Sequence, residues 1–150
     1  MNLVSYLQEN YDYNEPIFLK DVRIGGKSKT AIRQGFYRAY KKGELNRNGP
    51  GVYSLAKKTF PYGGVSFRAI LENKYLFDKD CLKGDRSKFV AGYYSGLTFL
   101  NVIGLSQQVP AVLEVTTNNT SCNKRIYKAK QREAIIRKGR TKIDSSNWKI

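Results

Sequence analysis

The chain has 150 residues, of which 41% are apolar, and it carries 27 Lys and Arg against 12 Asp and Glu, a formal net charge of +15. This apolar content suffices for a buried core, and the excess of positive charge predicts a polyanionic partner, with nucleic acid ahead of an acidic protein or anionic lipid. The sequence has no histidine, which excludes the commonest general base and mixed Cys/His zinc sites, so we expect no enzymatic activity, no metal and no cofactor.

The expected location follows from targeting and cysteine patterns. No segment approaches the ~20 consecutive apolar residues of a membrane span, and residues 1–16 lack the pattern of a signal peptide. Cys81 and Cys122 are too few for a disulfide framework and too far apart for a Cys-x-x-Cys metal site. We therefore expect a cytoplasmic protein that does not bind membranes.

Helix-breaking residues divide the chain into two predicted domains. The segment "KKTFPYGGV" contains one proline and two glycines, which indicates a boundary near residues 59–64. The predicted fold class is α+β. We expect a winged helix-turn-helix DNA-binding domain over residues 1–60 and a small, basic, mixed α/β domain over residues 61–150.

The first domain is predicted to contain three helices and a hairpin. Its expected elements are a helix over about residues 2–11, an extended piece at 16–18, a very short helix at 19–23 and a third helix up to Lys42. Ser28 is a good N-cap for the third helix, and Gly43 can end it. A strand, a turn at residues 48–51 and a second strand follow. This order is that of a winged helix-turn-helix.

The stretch Gly25-Gly26-Lys27-Ser28 permits two interpretations. A phosphate-binding loop requires glycine five residues before Gly26, where the chain has Asp21. The preceding "FLKDV" is also too polar for the buried strand that such a loop follows. A turn that leads into the third helix is therefore favoured, because glycines permit the positive φ of a tight corner.

The third helix is predicted to be amphipathic. Ile32, Phe36 and Ala39, with Gly35 beside them, form an apolar stripe that should face the core. The opposite face carries an amide, hydroxyls and cations: Thr30, Arg33, Gln34, Tyr37, Arg38 and Lys41. Such a face can read base edges in a major groove and neutralise phosphates. A basic face that only keeps the helix in solution is the alternative.

The hairpin favours DNA binding, because it extends the positive surface. Arg47 and Asn48 fall at its predicted tip, and Lys57 and Lys58 follow its second strand. In a winged helix these positions contact the DNA backbone beside the recognition helix.

The second domain contains the least polar part of the chain, residues 88–119. Helical spacing predicts a helix from about Ala91 to Val102, which Gly104 can end. Residues 111–115 are predicted to form a buried strand. Its single acid, Glu114, is expected to be an edge or salt-bridge residue and not a catalyst.

The densest positive charge follows this strand. Nine basic residues stand with one acid, Glu133, between positions 124 and 142: Lys124, Arg125, Lys128, Lys130, Arg132, Arg137, Lys138, Arg140 and Lys142. "EAIIRKG" and "TKIDSSNWKI" are predicted to pair as strands around Gly139. Three interpretations stay open: a sheet edge protected by lysines, a second nucleic-acid surface, and a docking face for an acidic partner.

Two blocks of the sequence resemble a known family. "GPGVYSLAKK" (residues 49–58) and "AGYYSGLTFLNVIGLSQQVPAVLEVTTNN" (residues 91–119) are similar to the AbiEi-like antitoxin family of type IV toxin-antitoxin and abortive-infection systems. The resemblance extends from about residue 3 to residue 143. The second block is the more specific one, because winged helices are widespread.

The resemblance implies a repressor that binds inverted repeats in its own promoter and counteracts a nucleotidyltransferase-like toxin. By motif position it assigns DNA binding to Ser28, Lys29, Thr30, Arg33, Gln34, Tyr37, Arg38 and Arg47. The implied partners are double-stranded DNA and a cognate toxin, with the protein a monomer or weak dimer on DNA. The alternatives are a protein-binding inhibitor that docks through its basic face and an RNA-binding module whose tyrosines stack on bases.

Overall fold

The computed structural model describes residues 2–57, 64–78, 90–144 and 146–147. Contacts divide the chain into two units, Met1–Ala69 and Ile70–Ile150. Both contain helices and strands, which confirms the α+β class. The expected boundary near residues 59–64 falls almost entirely outside the described residues.

Residues 2–57 of the first unit form two helices and a three-stranded sheet. Its elements are α1 (Leu3–Asn10), β1 (Ile17–Phe18), α2 (Lys29–Lys41), β2 (Leu45–Gly49) and β3 (Val52–Leu55). The strand order is β1-β3-β2, with both pairs antiparallel. The predicted first helix, extended piece, third helix and hairpin are therefore confirmed.

The core of this unit joins α1, α2 and the sheet. Leu7 and Phe36 are fully buried, and the rings of Phe36 and Tyr53 lie 5.0 Å apart. Gly35 allows the two helices to approach, because a Cβ added there would lie 2.9 Å from Cδ2 of Leu3. The inward face of α2 is thus anchored on two sides, and its opposite face is left at the surface.

The prediction of a short helix at residues 19–23 is wrong. A turn stands there, with the amide of Asp21 donating to the carbonyl of Phe18 and the amide of Leu19 donating to the carbonyl of Gly51. Pairing of β1 with β3 holds the backbone in another direction.

The second unit is built on a four-stranded sheet. Helix α3 (Phe67–Leu71), which spans the division between the units, continues into a π-helical segment (Glu72–Leu76). The remaining elements are β4 (Gly92–Tyr94), α4 (Gly96–Val102), β5 (Leu113–Thr117), β6 (Lys124–Ala129) and β7 (Arg132–Lys138). The strand order is β4-β5-β7-β6, in which only β5 and β7 are parallel. Among the described residues, no helix is both long and apolar enough to cross a membrane.

Two predictions for this unit need correction. The helix expected from Ala91 begins only at Gly96, because residues 92–94 pair with β5 as a strand. A Cβ on Gly92 would lie 2.6 Å from the carbonyl oxygen of Tyr75. Position 92 therefore requires glycine, because two backbone segments approach closely there. Gly104 does follow the helix end, at φ +77°.

The predicted pairing of "EAIIRKG" with "TKIDSSNWKI" is also wrong. Strand β7 pairs instead with β6, through a two-residue turn at Lys130 and Gln131 with φ of 50° and 60°. Beyond the sheet, the side chain of Asn118 accepts from the amide of Ile143 and donates to its carbonyl. These contacts hold the described part of "TKIDSSNWKI" outside strand pairing.

Candidate nucleic-acid interface

Local signals position helix α2. Its N-cap, Ser28, accepts a hydrogen bond from the amide of Ala31 at 3.2 Å, as expected of a serine cap. Gly26, at φ +75°, makes the turn before it, and Gly43, also at φ +75°, follows its end. The amide of Glu44 returns to the carbonyl of Ala39, which completes a Schellman motif. Both ends of the helix are therefore defined.

The two faces of α2 differ as the sequence predicts. Ile32, Phe36 and Ala39 are buried. The opposite face is exposed and brings together the predicted residues Lys29, Thr30, Arg33, Gln34, Tyr37, Arg38 and Lys41, with Ser28 exposed at its start. The Tyr37 ring is 58% exposed, and Nζ of Lys41 lies 5.6 Å from its centroid.

The cations of this face are available for an anionic partner. Within the part of the chain that the structure describes, Lys29, Arg33, Arg38 and Lys41 form no ion pair with an acidic side chain. The helix has 13 residues and is therefore about 20 Å long, with a diameter that a major groove accepts. Its outward face can donate hydrogen bonds to base edges and phosphates at the same time.

Asn48 is not at the surface, contrary to the prediction. It occupies a bulge between Arg47 and Gly49 and is only 4% exposed. Its side-chain amide donates to Oγ of Ser54 at 2.9 Å, which satisfies a polar group that would otherwise be buried without a partner. A single residue inserted into β2 turns this side chain inward, and the hydrogen bond fixes it there.

Two predicted cations of the hairpin are exposed. Arg47 lies on β2, and Lys57 follows β3 with its Nζ 5.4 Å from the centroid of the Tyr13 ring. Lys58 lies outside the described residues. Of the predicted hairpin contacts, Arg47 and Lys57 therefore remain as surface cations.

A groove along α2 is lined by two basic residues that the sequence analysis did not select. Lys27 and Lys42 line it together with Gln34 and Arg38. Both lysines flank the helix, so their position on a helical wheel was not considered. The same groove is also lined by the acidic Glu44, so it is not uniformly cationic.

Six of the nine basic residues between positions 124 and 142 lie on β6 and β7, where they are divided between the two faces of the sheet, whereas Lys130, Arg140 and Lys142 lie outside the strands. All nine are exposed. Lys124 pairs in register with Arg137, whereas Arg125 pairs with the buried Ile136 and so belongs to the other face. Lys128 forms an ion pair with Glu133, and Nε of Arg137 lies 3.6 Å from Oε2 of Glu114. The expectation that Glu114 is a salt-bridge residue is confirmed.

Tyr127 lies on the same sheet face as Arg125 and packs against Tyr75 of the π-helical segment. The rings of Tyr75 and Tyr127 meet edge to face at 5.6 Å, and Nζ of Lys74 lies 4.0 Å from the centroid of the Tyr127 ring. Burial, reinforced by Tyr75 and opposed by Arg125, raises the pKa of Tyr127 to about 12. Burial likewise raises the pKa of Tyr75. Both rings are packing elements, and the Tyr127 phenol stays neutral at physiological pH.

The fold and the site define an α+β protein whose first unit presents a cationic helix face without acidic partners among the described residues. Comparison of the chain with protein-family models, curated proteins and solved structures gives no match.

Proposed function

We propose that the protein is a sequence-specific, double-stranded-DNA-binding antitoxin and transcriptional repressor. In this proposal it binds inverted repeats in its own promoter and counteracts a nucleotidyltransferase-like toxin. The observation that carries the proposal is the outward face of α2, where Lys29, Arg33, Arg38 and Lys41 surround Gln34 without acidic partners among the described residues.

Helix α2 is the proposed recognition element. Arg33 and Gln34 are assigned to base edges, because a guanidinium and an amide can each make two hydrogen bonds to one base. Lys29, Arg38 and Lys41 are assigned to phosphates, which position the helix without reading sequence. The buried contacts of Ile32 and Phe36 hold the helix against the core while its other face enters the groove.

The hairpin acts as the wing in this proposal. Arg47 on β2 and Lys57 after β3 would contact the backbone that flanks the bound groove. The unit is then a winged helix in which a turn at residues 19–23 replaces the second helix. The sheet order β1-β3-β2, which places the hairpin beside β1, supports this assignment.

The second unit is assigned to the toxin. Five of the nine basic residues between positions 124 and 142 have no acidic partner within the described ranges, namely Lys124, Arg125, Arg132, Lys138 and Arg140. Such a surface favours an acidic protein face. The same observation supports the second candidate, an inhibitor that binds an acidic enzyme and uses the first unit only as a scaffold. A pull-down with the product of the neighbouring reading frame tests toxin binding.

Fluorescence anisotropy with the protein's own upstream DNA and a random duplex of equal length tests DNA recognition. The double variant Arg33→Ala and Gln34→Ala should lose roughly 1–3 kcal/mol of discrimination for each base contact removed. Lys20→Ala is the control, because it removes one exposed cation outside α2. If the double variant still prefers the upstream DNA as strongly as the wild type, α2 is not the reading element.

A further inference from the structure

One segment of this strongly charged chain has no charge at all. From Val90 to Leu113 there is no Lys, Arg, Asp or Glu, although 26% of the whole chain is charged. The structure describes all of this segment, which contains β4, α4 and the loop that leads to β5. Depletion of charge together with surface exposure is the composition found at the centre of protein interfaces.

Helix α4 turns its apolar side chains outward. Of its seven residues only Thr98 is buried, and Oγ1 of Thr98 accepts a hydrogen bond from the amide of Glu114 at 2.9 Å. Helical geometry then places Leu100 and Ile103 on the side opposite Thr98, where both are exposed. The buried face of this helix is therefore polar and its exposed face is apolar, the reverse of a helix that packs on its own core.

The loop after α4 is held in place and extends the same surface. The amide of Leu105 donates to the carbonyl of Leu100 at 2.9 Å, and the amide of Gly104 donates to that of Asn101. These two bonds form a Schellman motif, which normally lets the residue after the glycine pack on the helix. Leu105 is nevertheless 76% exposed. Its position is fixed, and most of its side chain is left uncovered.

The surface is large enough for a specific contact. We define the α4 surface by its six most prominent side chains, which are Leu97, Phe99, Leu100, Ile103, Leu105 and Val109. Together they expose on the order of 600 Å² of apolar area, at the upper limit for a monomer. Two copies placed face to face would cover about 1,200 Å², which reaches the lower range of specific interfaces.

We propose that the α4 surface binds the α4 surface of a second copy of this chain. Two copies that each carry +15 charges repel one another over most of their surface. The uncharged segment is where this repulsion is smallest and where apolar area can be buried. An acidic partner would be attracted more strongly to the basic residues of β6 and β7 than to a surface without charge.

The contact is self-complementary about a two-fold axis. Leu100 and Ile103 are three residues apart, a spacing at which side chains of one helix can pack between those of a second. Leu97 and Leu105 lie beside these two residues, so they would cover the partner's helix ends. This self-association does not require DNA, and it goes beyond the proposed function.

Sedimentation equilibrium of the full chain, freed of nucleic acid, tests the proposal. Wild type should approach twice the 17.1 kDa chain mass at ~100 µM. Leu105→Glu and Leu97→Glu should each weaken dimerisation at least about tenfold, since each places a charge in an apolar contact. Both side chains are more than half exposed, so the variants should keep the wild-type circular dichroism and urea midpoint.

Ile126→Glu is the matched control. Ile126 is 57% exposed on β6, and its replacement changes the net charge by the same amount. Its dimerisation should equal that of wild type. Added salt should strengthen dimerisation of the wild type several-fold, because salt screens the repulsion between like-charged copies.

Four results would overturn the proposal. They are a wild type that stays monomeric at ~100 µM at every salt concentration, dimerisation that survives both glutamate variants, equal loss in Ile126→Glu, and weakening by salt. A monomer that nevertheless binds the upstream DNA would leave the proposed function standing, so the two failures are distinguishable.

Discussion

The affinity for DNA should depend on salt with a slope that the structure predicts. Five exposed cations are assigned to phosphates: Lys29, Arg38, Lys41, Arg47 and Lys57. Each neutralised phosphate releases condensed counterions and adds about −0.9 to the slope of log affinity against log salt, so the expected slope is about −4.5. Doubling the salt concentration should then weaken binding roughly 20-fold.

Arg38→Ala should flatten this slope to about −3.6, because one phosphate contact is lost. Lys20→Ala removes the same charge from a turn outside α2 and should leave the slope unchanged. Anisotropy titrations at four or more salt concentrations give the slopes. A flat wild-type response, or equal flattening by both variants, would refute the assignment to α2. A slope near −10 would mean that the basic residues of the second unit also contact DNA.

Two further predictions concern the second unit. Gly92→Ala should lower the free energy of unfolding by about 3 kcal/mol, because its Cβ would lie within 3.0 Å of two carbonyl oxygens. Gly25→Ala, which meets nothing within 4 Å, should change it by no more than about 0.5 kcal/mol in the same urea titrations; equal effects would contradict the packing at Gly92. For Tyr127, whose pKa rises from 10.0 to about 12 on folding, the neutral phenol contributes stability that is intact below pH 10 and is lost as the pH approaches 12. Urea midpoints across this range should fall less in Tyr127→Phe than in wild type, and identical profiles would contradict the burial of this phenol.

Helix α2 could be predicted from sequence because its signals are local. A serine cap, a terminating glycine and an apolar stripe at helical spacing lie within 16 consecutive residues, Ser28 to Gly43. The structure reproduces the helix and the burial of its stripe. The six exposed cations of α2 and the hairpin were also accessible to this reasoning, since charge is rarely buried.

Other site residues depended on contacts that sequence spacing does not reveal. Asparagine is common in turns, yet a bulge and a hydrogen bond to the hydroxyl of Ser54 turn the side chain of Asn48 inward. The β6–β7 hairpin was missed because Lys130 and Gln131 adopt positive φ without the Asn-Gly or Asp-Gly pair that usually marks such turns. The sequence did not reveal that the apolar side chains of α4 point to solvent, because an apolar helix is ordinarily assigned to the core.

By itself the sequence determined that the chain is α+β and that it is strongly basic. It also determined where helix α2 begins and ends and which of its residues face the core. These properties depend on composition and on neighbours three or four residues apart. Only the tertiary structure decided which strands pair, that Asn48 is buried, and that the uncharged face of α4 points to solvent. Those outcomes depend on residues distant along the chain, such as Ser54 for Asn48 and Glu114 for Thr98, whose proximity arises when the sheets form.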